Sequence, residues 1–277
     1  EKMSNIKEYI KSQGIEIKGI KFGKSKAQYF MDKDENAIYQ GISSIKYCND
    51  QIADELYELS KNHYDNFVDL LSDIILKTSV DDRQLHILTT LNFFSEFGKN
   101  KYLLSIIDMY NLLGKCKTLK KDKIASLNIR EEDVRKCAEK ETPKQYSNVD
   151  KDKLVKLMIS GLENKPLSIK EQIVYEQEYL GNIMYKNPKA PKDMYYVLEC
   201  KFYKDKTKPY LMLYNMRDGE YLKTKITSGK SFIESPFIAG NVINVKEFGE
   251  RNKMKKVGGD WIKTDEKERI VKKWDVY

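Results

Sequence analysis

Residues 195–227, YYVLECKFYKDKTKPYLMLYNMRDGEYLKTKIT, decide the fold predicted for the C-terminal part of the chain. Apolar and polar side chains alternate along this stretch, which is the period of a β-strand. The alternation breaks at two polar turns and resumes after each, so it predicts consecutive antiparallel strands. Two further strands are expected downstream, and a Gly-Gly pair interrupts the last one. The expected strands are 195–204, 209–216, 220–227, 242–248 and 253–263.

The order of these strands favours a small barrel. The expected order is three strands in a meander, an interruption at 228–238 and then two more strands. This is the order of an OB-fold barrel. An SH3-like barrel gives a similar pattern and is an open alternative. We therefore expect residues 195–277 to form a five-stranded, OB-like β-barrel domain.

One face of the predicted strands combines aromatic rings with cations. In the first strand we expect Tyr196 and Leu198 on the core side, because side chains alternate across a sheet. The opposite face suits single-stranded nucleic acid, since bases stack on rings while ammonium groups neutralise phosphates. The alternative is ordinary exposed strand residues, because Tyr favours strands and Lys protects sheet edges. The residues predicted to bind single-stranded DNA are Lys201, Tyr203, Tyr210, Tyr214, Tyr221, Lys223 and Lys225.

Helical periodicity dominates upstream of the strands. Between residues 49 and 114, apolar side chains recur at three- and four-residue spacing, which predicts four short helices joined by turns. Asn49 or Asp50 is the expected N-cap of the first helix. Ser79 and Asp82 together resemble a capping box that opens the third.

Residues 116–194 are expected to form a charged helical connector. Helices are predicted to begin near Asn128 and Ser168, because each is followed three residues later by Glu. Prolines punctuate the stretch, and no compact core is obvious in it. With the helices upstream and the strands downstream, this predicts an α+β chain.

The net charge of +8 is unevenly distributed. Residues 31–115 carry 8 basic and 14 acidic side chains, whereas residues 196–277 carry 18 and 12. A basic C-terminal part is compatible with nucleic-acid binding. The alternative is that the abundant Lys, Ile, Asn and Tyr residues reflect an AT-rich genome.

Several kinds of site and partner are not expected. There is no run of about eighteen apolar residues, so we expect no membrane-spanning helix and no membrane partner. The four cysteines form no Cys-x-x-Cys pair and the histidines number two, so we expect no metal site and a reducing, cytoplasmic setting. No residue pattern indicates a catalytic or cofactor-binding site. The sequence begins at Glu1 rather than Met, from which we expect a fragment of a longer protein.

Short motifs along the chain resemble one known family. Residues 41–46 (GISSIK) and the following helix are similar to a Gly-h-x-x-Ile-Lys-Gly-h-Gly hairpin, and residues 88–98 (LTTLNFFSEFG) to a second hairpin that ends in Leu-Gly. In their order and spacing the motifs resemble the C-terminal part of the bacterial C-family replicative polymerase, the DNA polymerase III alpha subunit. The other matching segments are 13–17 (QGIEI), 28–30 (QYF), 178–181 (EYLG) and 187–188 (NP).

The resemblance implies a division of the chain and a role for each part. Residues 1–40 would be the end of the fingers, 41–115 a helix-hairpin-helix region and 195–277 the OB domain. The family's catalytic carboxylates, which hold Mg²⁺, lie in a palm domain N-terminal to these parts, so this segment is expected to be non-catalytic and without cofactor. The parent would be a DNA-directed DNA polymerase, a nucleotidyltransferase of DNA replication. The residues expected to contact duplex DNA are Lys46, Tyr47, Asn49 and Lys77.

This sequence departs from the family pattern at the first hairpin turn. Tyr47 and Asn49 stand where the family has glycines, which expose backbone amides to a phosphate. Asn49 is expected to tolerate a left-handed backbone, but Tyr47 is not. In the second hairpin, Asp81 and Asp82 occupy the place where a phosphate would meet the helix start.

Three further possibilities concern partners. A sliding clamp is a partner that the resemblance implies, but no clear clamp-binding pentapeptide is visible, and residues 172–175 (QIVY) match it poorly. A stand-alone OB protein that binds single-stranded DNA or RNA is an alternative function. A protein-interaction scaffold that docks through its acidic helical part is another.

Overall fold

The computed structural model describes residues 9–10, 12–114 and 117–277. Within them the chain is α+β, as the sequence predicts, with several helices and a five-stranded antiparallel sheet. It divides into two compact units, Glu1–Asn182 and Ile183–Tyr277, called unit 1 and unit 2 below. The first eight residues of the predicted 1–40 segment, and Cys116, lie outside the described residues. Among the described helices, none has the length and apolar character needed to cross a lipid bilayer.

Unit 1 begins with a small three-stranded sheet. Its strands are β1 (Glu16–Lys18), β2 (Phe30–Asp32) and β3 (Ala37–Tyr39). The middle strand is β3, which runs parallel to β1 and antiparallel to β2. The Lys24 ammonium lies 2.9 Å from the Glu35 carboxylate, so an ion pair ties the loop before β2 to the turn before β3.

Four helices follow, as the sequence predicts. They are α1 (Asp50–Leu59), α2 (Phe67–Lys77), α3 (Asp82–Thr90) and α4 (Asn100–Leu112). Asn49 is the N-cap of α1, and its side chain accepts a backbone N–H of the first turn. The predicted start of α3 is wrong, because Asp81 is the N-cap and forms the capping box with Gln84. Ser79 instead donates its hydroxyl to the Glu55 carboxylate at 2.8 Å.

The part expected to be a charged helical connector does contain helices, but it is not helical throughout. This part of the chain also forms a small sheet, in which the middle strand carries the fully buried Tyr146. Its strands are only two to five residues long, which is too short for alternation to show in the sequence. The elements are β4 (Leu119–Lys120), α5 (Lys121–Ser126), α6 (Glu131–Cys137), β5 (Ala138–Glu141), β6 (Gln145–Val149), α7 (Lys151–Met158) and α8 (Ile169–Leu180).

One of the two helix starts predicted in the connector is confirmed. Ser168 and Glu171 form a reciprocal capping box at the start of α8. The prediction at Asn128 is wrong, because α6 begins after Arg130 without a side-chain cap. Asn128 instead has a φ of 52°, a left-handed backbone that Asn tolerates better than most residues.

A single apolar core runs through unit 1. It starts at Ile20 and Phe22, includes Leu71 of α2 and Phe94 of the turn after α3, and continues into the connector as far as Val155. Each such side chain contributes about 1.5–3 kcal/mol when fully buried. The connector is therefore part of the same folded body as the four helices.

Unit 2 is built on a five-stranded antiparallel sheet with one short helix. In spatial order the strands are β11-β10-β7-β8-β9. The predicted limits of the last two strands are wrong, because Gly258 and Gly259 form a turn between them. Their φ values of 59° and 101° suit a tight hairpin turn that glycine makes without steric cost. The elements are β7 (Met194–Lys201), β8 (Tyr210–Asn215), β9 (Tyr221–Lys225), α9 (Gly229–Glu234), β10 (Val242–Val257) and β11 (Asp260–Val276).

The two outer strands of this sheet approach each other without forming a ladder. One parallel bridge joins Ile226, just after β9, to Val271 of β11. The Thr224 hydroxyl donates to the Arg269 carbonyl at 2.8 Å beside it. The described strands therefore form an open sheet, and the closed barrel expected from the sequence stays a prediction.

A β-bulge in β7 changes which of its side chains face the core. The register with β8 shifts between Val197 and Glu199, so alternation restarts at that point. Tyr195 and Val197 belong to the unit 2 core, whereas the sequence predicts Tyr196 and Leu198 there. Alternation within β7 gives the wrong core residues because the position of a bulge depends on the pairing with the partner strand.

Candidate nucleic-acid interface

The outer face of the unit 2 sheet carries most of the residues predicted to bind single-stranded DNA. Tyr210 pairs with Lys225 on one side and with Lys201 on the other, and Tyr214 pairs with Tyr221. Residues that pair in this way lie on the same side of a sheet. The residues sharing this side are Tyr196, Glu199, Lys201, Tyr210, Met212, Tyr214, Tyr221, Lys223 and Lys225.

Three tyrosines of the predicted set expose their rings to solvent. Tyr203, Tyr210 and Tyr221 are 66%, 48% and 52% exposed. The rings of Tyr203 and Tyr210 meet edge to face, with centroids 5.1 Å apart. An exposed ring that a neighbouring ring already holds in place is a ready platform for a base.

Tyr214, also in the predicted set, is not such a platform. Its side chain is fully buried, and its hydroxyl donates to the Tyr185 carbonyl at 2.6 Å. The Asn187 N–H donates to the Met216 carbonyl at 2.8 Å, so the segment around residues 183–190 lies against this end of the strand. The prediction of Tyr214 as a stacking residue is therefore wrong, because a segment before β7 covers it.

The three predicted lysines differ in how far their charge is already used. Lys201 lies 2.7 Å from the Glu199 carboxylate. Lys225 lies 2.7 Å from Glu268 and has a side chain only 13% exposed. Among the described side chains, none forms an ion pair with Lys223, which is exposed. Lys223 is therefore the cation of this face that is free to neutralise a phosphate.

Three of the predicted duplex-binding residues, Lys46, Tyr47 and Asn49, lie at the turn that precedes α1. The fourth, Lys77, is the last residue of α2. Tyr47 has a φ of 72°, so the expectation that it avoids the left-handed region is wrong. The Gln84 amide donates to the Tyr47 carbonyl at 3.0 Å, which helps to hold this backbone. Asn49, which was expected to tolerate that region, is extended, with a φ of −140°.

A cluster of cations lies on the exposed ring of Tyr47. The Arg83 guanidinium carbon is 3.3 Å from the ring centroid, and the Lys46 ammonium is 5.1 Å from it. The Lys46 N–H donates to the Tyr179 carbonyl at 3.1 Å, which fixes the hairpin against α8. Sequence reasoning missed Arg83, although it is the only arginine among residues 1–129 of a chain that otherwise uses lysine.

Two of the predicted duplex-binding side chains are occupied. The Asn49 side-chain Oδ1 accepts from the Ile52 N–H at 3.0 Å. The Lys77 ammonium lies 2.7 Å from the Asp73 carboxylate, which raises the pKa of Lys77. The structure therefore leaves Lys46 and Tyr47 as the accessible members of the predicted set.

The segment that matches a clamp-binding motif poorly is also occupied. Gln172 and Ile173 lie within α8 and are buried. The Gln172 amide accepts from Asn100 at 2.7 Å and donates to Glu176 at 2.8 Å. These side chains hold α8 to the helices of unit 1 and are not presented to a partner.

Unit 1 also contains a cavity of about 610 Å³ between the loop at 21–24 and the turn from α1 to α2. Two of the cations that line it are paired, Lys24 with Asp32 at 2.7 Å and Lys156 with Asp69 at 2.5 Å. None of the residues predicted from the sequence to contact DNA lines this cavity. It therefore adds no residue to the candidate interface.

Groups of metal-ligating side chains and reactive thiols are a further kind of candidate site. Within residues 9–10, 12–114 and 117–277, no three His, Cys, Asp or Glu side chains come together as a metal-ligand set. Burial raises the pKa of the Cys48 thiol to about 11, so this cysteine is a protonated packing residue at neutral pH.

Two sets of side chains remain available to a ligand. The tyrosine face consists of Tyr203, Tyr210, Tyr221 and Lys223 in unit 2, and the hairpin cluster consists of Lys46, Tyr47 and Arg83 in unit 1. Compared with protein-family models and with curated protein sequences, the chain matched none.

Proposed function

We propose that the chain binds single-stranded nucleic acid through the tyrosine face, as a non-catalytic C-terminal part of a replicative DNA polymerase of the C family. One observation carries the proposal: Tyr210 and Tyr221 expose their rings on the sheet face that holds the unpaired Lys223. The exposed Tyr203 ring, just after β7, meets the Tyr210 ring edge to face. Stacking on a ring accepts any base, and an ammonium group accepts any phosphate. The arrangement therefore suits binding without sequence preference.

The strand order of unit 2 supports an OB-like fold for this binding domain. Taken in chain order as strands one to five, its strands lie as five-four-one-two-three, with α9 between the third and fourth. Strands three and five approach through a parallel bridge at Ile226 and Val271. In an OB barrel the same two strands meet, and oligonucleotides bind across the second and third strands, where Tyr210 and Tyr221 lie here.

Two backbone observations support the polymerase parent. Tyr47 adopts the left-handed conformation at the position where the family hairpin has a glycine. Gly98, which ends the second matching motif, has a φ of 152°, and a Cβ there would lie 2.9 Å from the Tyr102 ring. Tyr47 thus has a glycine-like backbone at its position, whereas Asn49, at the other family glycine, is extended.

Fluorescence anisotropy with a labelled oligonucleotide tests this function. A double variant with Tyr203→Ala and Tyr210→Ala should bind at least about tenfold more weakly, since each stacked ring contributes about 1–3 kcal/mol. Tyr29→Ala is the matched control, because Tyr29 is 54% exposed in unit 1. Equal binding by the double variant and the wild type would refute the tyrosine face.

A primer-extension assay separates the polymerase parent from an enzyme activity of this chain. The segment carries no palm-type carboxylate motif, so the purified chain should add no nucleotide with or without Mg²⁺. Template-dependent extension that persists after removal of contaminating polymerases would contradict the assignment of a non-catalytic part.

A further inference from the structure

We propose that Arg83 and Lys46, gathered on the Tyr47 ring, clamp a phosphate of a nucleic-acid backbone. The inference rests on the proposed function, since it assumes that the chain binds nucleic acid. It goes beyond the duplex contacts expected for Lys46 and Tyr47, because it assigns the main contact to Arg83, a residue that the sequence motifs do not include.

The contacts place two cations at one exposed ring. The Arg83 guanidinium is in van der Waals contact with the ring face at 3.3 Å, and the Lys46 ammonium lies 5.1 Å from its centroid. Within the part of the chain that the structure describes, neither side chain forms an ion pair. A guanidinium held flat on a ring keeps its N–H edge for a phosphate, which it binds through two parallel hydrogen bonds.

Several backbone amides near this turn are already used. The Lys46 N–H donates to the Tyr179 carbonyl at 3.1 Å. The Asp81 carboxylate accepts from the Gln84 N–H at 2.7 Å at the start of α3, and Asn49 caps the start of α1 in the same way. The unpaired side-chain cations are therefore the donors that we expect to hold a phosphate.

The ring is fixed in place before any ligand arrives. Tyr47 is 42% exposed and has a left-handed backbone that costs free energy in a residue with a side chain. Gln84, the residue after Arg83, bonds to the Tyr47 carbonyl at 3.0 Å. The Tyr47 ring and the Arg83 guanidinium are thus held together by two adjacent residues of α3, Arg83 and Gln84. Little side-chain conformational entropy is therefore lost when a phosphate binds.

Carboxylates around the cluster limit the site to a local contact. Asp50 accepts from the Ser43 hydroxyl, and Asp81 is held by its capping box. Asp82 and Glu178 are exposed nearby in the sequence of α3 and α8. With these negative charges beside it, the clamp is expected to hold one phosphate rather than a long stretch of backbone.

Anisotropy titrations of the full chain with a labelled duplex, at several salt concentrations, test the clamp. We expect Arg83→Ala to weaken binding about tenfold and to flatten the salt slope by about 0.9, the value of one duplex phosphate contact. The affinity of Arg83→Lys for the duplex should lie between those of the wild type and Arg83→Ala, because lysine keeps the charge but not the planar contact with the ring. Lys33→Ala, which removes an exposed charge elsewhere in unit 1, is the matched control.

Tyr47→Gly distinguishes the clamp from binding by backbone amides. If the ring positions the cations, glycine weakens duplex binding as Arg83→Ala does. If exposed amides bind the phosphate, glycine strengthens it, and the clamp is refuted. Duplex binding that is the same in wild type and Arg83→Ala refutes it too, while leaving the tyrosine face untouched.

Inorganic phosphate identifies the source of the group. We expect Arg83-dependent binding with the duplex only, and Arg83-dependent binding of inorganic phosphate would overturn the assignment to a nucleic-acid backbone. A chain that binds neither single strands nor duplex would instead refute the proposed function, and the clamp with it.

Discussion

The two units differ in charge and in how they present a ring. Unit 1 contains 29 basic and 29 acidic residues, whereas unit 2 contains 21 and 13, so unit 2 carries the whole net charge of +8. The general attraction for a polyanion therefore belongs to unit 2. Any binding by unit 1 has to come from a local arrangement such as the hairpin cluster.

Within unit 2, two tyrosines on the same strand face show that residue type does not decide exposure. Tyr210 is 48% exposed and Tyr214 is fully buried. Both lie on the outer side of β8, but the segment around Tyr185 covers one end of it. The difference teaches that a ring on the outer face binds a base only where no other part of the chain has already packed on it.

The largest expected effect separates these two tyrosines. Tyr214→Ala should lower the free energy of unfolding by about 3–5 kcal/mol, because it removes a buried ring and leaves a cavity. Tyr210→Ala should lower it by far less, since that ring is half in water. Urea denaturation followed by circular dichroism measures both, and equal stabilities would show that Tyr214 is not a core residue.

A second comparison is between two turns with a positive φ. Glycines form one, in the unit 2 hairpin, and Tyr47 forms the other, in unit 1. Replacing Gly258 and Gly259 together by Ala should destabilise the chain by about 2–4 kcal/mol, because each alanine is strained at positive φ. Gly161→Ala is the control, since a Cβ there meets nothing within 4 Å and its φ is not positive. A double variant as stable as the control would contradict the turn.

The smallest expected effect is at Tyr47. Tyr47→Gly and Tyr47→Ala both remove the ring, but only alanine keeps a Cβ at the left-handed position. The glycine variant should therefore be more stable by about 1 kcal/mol, measured by the same urea denaturation. If the two variants are equally stable, the φ of 72° carries no strain.

The sequence predicts those elements whose signals are local. The four helices of unit 1 follow from apolar spacing, and the cap at Asn49 and the capping box at Ser168 follow from side chains three residues apart. The three strands of the meander follow from alternation. The small sheet around Tyr146 was missed, because its strands are too short to show a period.

The parts that the sequence could not predict depend on distant partners. The bulge in β7 is set by its register with β8. Lys225 is neutralised by Glu268, and Arg83 is placed by contact with Tyr47. None of these pairs is marked by a local motif. The residues of the candidate site therefore differ from those predicted, although the strands that carry them are as expected.

The long hairpin of β10 and β11 has a consequence for the order in which unit 2 folds. β10 pairs with β7 only over Val242–Asn244, whereas its ladder with β11 continues to the glycine turn. A hairpin closes in about 1–10 μs, and pairing between distant segments is slower because a larger loop must be closed. We expect the amides of 248–270 to become protected from hydrogen exchange before those of 242–244, whose pairing with β7 closes a larger loop, when refolding is pulse-labelled. During synthesis the meander would then emerge first, and the edge of β7 would have no partner strand until β10 joins it.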